Sequence, residues 1–180
     1  MLTITVPGVE SFDEEKEQFL YSESTVLELE HSLASLSKWE SKFEKPFLGP
    51  ENKTTEETYA YIKMMCLGDN LTDEVLQRFT AENFEAVNDY IESKMTATWF
   101  KDLPNKPGSR EVITNEIIRY WMISLGISLE YETRHLNQLF TLIRVISEKN
   151  KPAKKMSRSE MIQQRNALNA QRRQQFNTTG

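Results

Sequence analysis

The chain has 180 residues, of which 38% are apolar, with 22 Lys and Arg against 27 Asp and Glu. That length suits one domain with extensions, and no run approaches the roughly 18 apolar residues of a membrane span. A single cysteine, Cys66, excludes an internal disulfide and points to a reducing compartment.

The net charge of −5 is unevenly spread. Residues 149–180 carry eight Lys and Arg against Glu160 alone, a net +7, which leaves −12 on the preceding 148 residues. An acidic body with a basic tail suits a tail that reaches an acidic surface or neighbouring subunit; a solvated tail is the plainer alternative.

Leu2 to Val6 alternates β-branched and apolar residues and ends at Pro7-Gly8, as a strand does. Glu10 to Glu17 reads as an acidic turn, Gln18 to Tyr21 as a second short strand, and Thr25 to His31 as a third, although Val26 to Leu36 also fits a helix. The N-terminus has no basic region ahead of an apolar stretch, so no signal peptide is expected there. Residues 1–31 are thus expected to form a small antiparallel β element.

From Leu33 the period changes: Leu33, Leu36, Trp39 and Phe43 fall on one helical face, Lys38, Glu40 and Lys42 fill the polar positions, and Pro46 ends the run. Thr54 and Glu57 have the spacing of a capping box, opening a helix to about Leu67. Short helices are expected over 72–79 and 81–91. Met95 to Phe100, Thr-rich and aromatic, reads as a strand or extended segment. A helix pair is expected after Ser109. Its first member shows a wide apolar face of Ile113, Ile117, Tyr120 and Trp121, extendable to Leu125 and closed by Gly126; its second has Leu136, Leu139, Phe140, Ile143 and Ile146; the short link predicts an antiparallel hairpin. Pro152 stops the second helix. Met156 to Gln175 is a polar helix candidate with a thin stripe of Met161, Leu168 and Phe176. The expected organisation is mainly α: a β element over 1–31, a helical body over 32–152 and a basic helical tail over 153–180.

Motifs of chemistry are sparse. His31 and His135 stand alone in sequence, and Cys66 has no Cys-x-x-Cys partner, so no metal site is expected. Scattered glycines give no phosphate-cradling loop or dinucleotide fingerprint, so no cofactor is expected. No nucleophile-elbow pattern occurs, and a non-catalytic protein is the expectation. Trp121 reads as core, whereas Trp39 and Trp99 border loops and are candidate partner anchors. In the tail, Lys154, Lys155, Arg158, Arg165, Arg172 and Arg173 are candidate contacts. They could neutralise phosphates, but the acidic body and the lack of stacking aromatics argue against nucleic acid.

Several segments resemble a group of small proteins encoded by tailed bacteriophages: Ser35 to Ser41, Lys45 to Leu48, Lys53 to Thr58, Met95 to Phe100, Tyr120 to Ile123 and Arg165 to Arg173. The likeness covers nearly the whole chain and is closest to the tail assembly chaperones of long-tailed phages. The resemblance implies a protein of the host cytoplasm that binds the tape measure protein, holds it soluble while tail tube protein polymerises around it, and then leaves. It implies no catalytic residue, cofactor or membrane, and allows self-association. The alternative expectation is a structural virion protein, a connector or tail-completion subunit whose basic arm contacts a neighbouring subunit or DNA.

Overall fold

The structure, a computed structural model, describes residues 1–13, 17–100, 112–151 and 157–176. It is mainly helical, with antiparallel β structure at the N-terminus and a C-terminal helix. By contacts the chain divides into two units, 1–147 and 148–180. The first unit holds the β element together with most of the helical body, and the second begins at Glu148, in the last turn of the helix that ends at Lys149.

Strands β1 (Leu2–Val6) and β4 (Thr25–Leu29) pair antiparallel, with Ile4 opposite Leu27 and Leu2 opposite Leu29. The alternation places Ile4, Val6, Leu27 and Leu29 on the buried face. Between them, β2 (Glu10–Asp13) and β3 (Gln18–Tyr21) form a second antiparallel pair. The expected acidic turn is thus partly strand, and the β element is two two-stranded sheets. Gly8 is needed where the chain crosses from one to the other: a Cβ there would sit 1.9 Å from the Ser22 carbonyl oxygen. Residues 65–67 run beside β4, with Glu30 N–H donating to the Met65 carbonyl (2.9 Å) and Leu67 N–H to the Glu28 carbonyl (2.9 Å).

Helix α1 (Leu33–Phe43) opens on Ser32, whose hydroxyl accepts from Ser35 N–H, and ends at Glu44 in the left-handed region. Leu33, Leu36 and Trp39 are buried as their spacing predicts. Helix α2 (Thr55–Met65) carries the expected capping box: Glu57 N–H donates to Thr54 Oγ1 (3.2 Å) and Thr54 N–H to Glu57 Oε2 (2.9 Å). Thr54→Ala should cost about 1 kcal/mol in urea denaturation, while Thr54→Ser should be close to neutral.

Helices α3 (Asp73–Gln77) and α4 (Ala81–Glu92) start on Thr72 and Thr80, each accepting a backbone N–H three residues on. Arg78 Nη1 ties them to the strands, donating to Ser22 Oγ (3.0 Å) and the Pro7 carbonyl (3.2 Å). Residues 93–100 are irregular rather than a strand. Helix α5 is Asn115–Ser124; the expected start at Ser109 lies outside the described residues. Its fully buried stripe is Asn115, Ile118 and Met122, while Ile113, Trp121 and Leu125 of the predicted face pack against the core partly buried. Tyr120 is exposed, and Ile117 and Trp121 are half-buried. Apolar residues surround this helix, so periodicity alone could not choose the inward face.

The expected hairpin is also replaced. Helix α5 packs chiefly on α1, and a 3-10 turn over Leu129–Thr133, also against α1, intervenes before α6 (Leu136–Lys149). Gly126, at φ +68, permits the reversal that begins this link. Leu136 and Leu139 of α6 join the core. In the second unit, α7 (Arg158–Phe176) has no buried residue.

Candidate functional site

Carbonyls at the C-terminal end of α4 set the site, that of Tyr90 already accepting from Ser93 N–H (3.2 Å). Side chains from the start of α6 reach across to them. His135 Nε2–H donates to the Tyr90 carbonyl (3.0 Å), and Asn137 Nδ2 donates to the Ser93 carbonyl (2.7 Å) and, at 3.4 Å, the Ile91 carbonyl. Asn137 N–H donates in turn to His135 Nδ1 (3.2 Å), which fixes the ring in its neutral, Nε2-protonated form. One residue further, Gln138 Nε2 donates to the carbonyl of Met95 (2.9 Å), whose φ of 48 turns the chain. This ladder lays residues 93–100 alongside α6.

The result is a cleft of about 390 Å³ between that segment and α6. Its apolar wall is Trp99, Phe100 and Phe140; Thr96, Thr98, Asn137 and Thr141 add hydroxyl and amide groups. Both cations at the cleft lie over rings: Lys94 Nζ is 4.1 Å from the Trp99 centroid, and Arg144 Cζ is 4.0 Å from that of Phe100. Trp99 is nevertheless 75% exposed. The Trp99 indole is thus held beside Lys94 and stays wet, with Arg144 over the neighbouring Phe100 ring. Trp99→Ala should leave the unfolding free energy from urea denaturation within about 0.5 kcal/mol of the parent, because nothing in the core rests on it.

The other candidate anchor is corrected. Trp39 is 1% exposed. Its Nε1–H donates to the Glu57 carbonyl (2.9 Å), and its ring packs on Phe43 and Phe47 at 4.9 and 5.1 Å. It belongs to the core and offers a partner nothing. Its place beside a loop misled, because that loop folds back: Lys53 lies over Phe47 at 4.1 Å and donates to its carbonyl. Arg158, Arg165, Arg172 and Arg173 are all exposed on α7, and Lys154 and Lys155 lie outside the described residues.

Two interior constellations escape a sequence reading. The histidines that stand alone in sequence meet, with ring centroids 5.2 Å apart. His31 Nδ1 shares a hydrogen bond with Tyr61 Oη (2.6 Å), and Tyr90 Oη donates to Glu30 Oε1 (2.7 Å). Burial, reinforced by the neighbouring His135, pushes His31 down to about 4, and burial also lowers His135. Burial raises both tyrosines, the Glu30 hydrogen bond adding to the rise at Tyr90. Among the described residues, no group of three or more His, Cys, Asp and Glu side chains is placed to hold a metal ion. The second constellation is Glu40, placed among the polar positions of α1 but buried. Its Oε1 accepts from Phe47 N–H (2.7 Å), and its Oε2 from Asn115 N–H (2.8 Å) and Nδ2 (2.7 Å).

Among the described residues, no helix is long and apolar enough to cross a membrane. Comparison of the chain with protein-family models, with curated proteins and with solved structures finds no match.

Proposed function

We propose that this protein is a tail assembly chaperone of a long-tailed bacteriophage, binding the tape measure protein in the host cytoplasm and keeping it soluble while tail tube protein polymerises around it. The observation that carries the reading is the Trp99 cleft. A solvent-exposed indole beside Phe100 and Phe140, with Lys94 and Arg144 at hand, suits one or two large side chains of an amphipathic segment with acidic flanks. The segment Met95 to Phe100, which supplies the cleft's wall, is also one of those that resemble the chaperones. Co-expression with the tape measure protein of the same phage tests the reading. The expected result is soluble tape measure protein that co-purifies with this chain; tape measure protein that stays insoluble and unbound rejects it.

The exposed arginines of α7 favour a second reading, a connector or tail-completion subunit whose arm grips a neighbour. Mass spectrometry of purified particles separates the two. A departing chaperone is absent from mature virions, whereas a connector is present in fixed stoichiometry.

A further inference from the structure

Helix α7 runs for 19 residues from a sound start. Glu160 N–H donates to Ser157 Oγ (3.2 Å) and Ser157 N–H to Glu160 Oε2 (2.7 Å), a complete capping box. Yet every residue of the helix is exposed, including Met161, Ile162, Leu168 and Phe176. A helix of this length and composition is marginal in water without a surface to cover.

The order of its residues says what that surface is. Arg158, Arg165 and Arg172 recur every seventh position, and Met161 and Leu168 stand three residues after the first two. At 3.6 residues per turn, these five with Ile162 and Phe176 fall inside one sector of roughly 120°. Asn169 also falls in this sector, and the opposite face carries Glu160, Gln163, Ala167, Ala170 and Gln174. Spacing of three and four is the seam of a helix that packs on another helix. The cations lie inside this seam, at its centre, rather than opposite it.

Four kinds of partner could meet that arrangement. On a membrane, the central arginines would be driven toward the acyl chains along with Met161 and Leu168, whereas interfacial helices carry their cations on the polar face. Nucleic acid would satisfy the guanidinium groups but offers the methionine and leucine no groove. A second α7, parallel and in register, would set arginine against arginine. A helix with carboxylates at every seventh position and apolar residues between them satisfies both halves of the seam, pairing each guanidinium in bidentate fashion and covering Met161 and Leu168.

We infer that α7 is a docking helix for an acidic, heptad-patterned helix of a partner protein, read through Arg158, Arg165 and Arg172 and seated by Met161 and Leu168. This holds whether the body serves as a chaperone or as a virion component. The test uses the full chain and a fluorescein-labelled three-heptad peptide with Glu at each a position and Leu at each d position. Fluorescence anisotropy should show saturable binding. Arg165→Glu and Leu168→Asn should each weaken it about tenfold or more, with the urea midpoint of the body unchanged. A peptide with Lys in place of Glu should not bind. The inference is overturned by no binding of the Glu peptide, by equal binding of the Lys peptide, or by a Leu168→Asn chain that binds as the parent does. Tighter binding of phosphatidylserine vesicles or duplex DNA than of the Glu peptide also overturns it.

Discussion

Glu40→Ala should destabilise the body by about 3–5 kcal/mol, the largest loss expected of any single polar substitution in it. The carboxylate is the common acceptor for three donors, Phe47 N–H and both nitrogens of Asn115, and it sits in a buried position. Through it α1 is fastened both to the loop that follows and to the first residue of α5. Asn115 in turn accepts from Arg119 Nη1 (2.9 Å) at its Oδ1, so its side chain is committed on both ends. Removing the carboxylate leaves Phe47 N–H and Asn115 N–H without an acceptor, each worth on the order of 1–3 kcal/mol, while Asn115 Nδ2 keeps only its bond to Glu116 Oε1 (2.8 Å). Glu40→Gln should lose less, because one oxygen remains to accept while the new NH2 opposes a donor. Urea denaturation followed by far-ultraviolet circular dichroism measures both. A loss below about 1 kcal/mol for Glu40→Ala would remove this clip from the account.

The second large effect is on acid stability. His31 lies in the interior with Glu30, Tyr61 and His135 around it, and burial holds it near 4 against an ordinary value of 6.5. Between those two values the unfolded chain binds the proton and the native chain does not, so stability rises with pH across that window. The contribution is complete above about pH 6.5 and drains away as pH falls. His31 alone should cost the fold about 2 kcal/mol at pH 5 and about 3 kcal/mol at pH 4, relative to pH 7. His135, lowered in the same direction by burial, steepens the fall. Urea midpoints measured from pH 7.5 to 4.5 should decline below 6.5, and His31→Gln should flatten the curve. Midpoints that hold constant from pH 7 to 5 would contradict a neutral, buried His31.

What the sequence could reveal divides along the range of the interactions. The capping box at Thr54 and Glu57, the stripe of Leu33, Leu36 and Trp39, and the polar helix from Arg158 are local patterns, and each is found close to where it was expected. Features built across long separations were not legible. Glu40 and Asn115 stand 75 residues apart, so nothing beside Glu40 in sequence distinguishes it from the solvent-facing Lys38 and Lys42. The meeting of His31 with His135 likewise depends on where α6 lands. In α5, neighbouring apolar pairs at Ile117-Ile118 and Trp121-Met122 left two faces equally plausible, and packing against α1 selects Ile118 and Met122. Of the two tryptophans beside loops, Trp99 stands at the cleft and Trp39 inside the core; only the fold-back of the Phe47 loop over α1 separates them. The cleft itself depends on hydrogen bonds from Asn137 and Gln138 to carbonyls of Ser93 and Met95, which no spacing rule anticipates.

In the proposed function the Trp99 cleft holds a helical client. Its most direct test is the soluble yield of tape measure protein co-expressed with the parent chain and with Trp99→Ala, with the urea midpoint of each chain measured alongside. The parent should raise the soluble yield, and Trp99→Ala, equally stable, should lose most of that effect. A Trp99→Ala chain that keeps the tape measure protein as soluble as the parent does would contradict it.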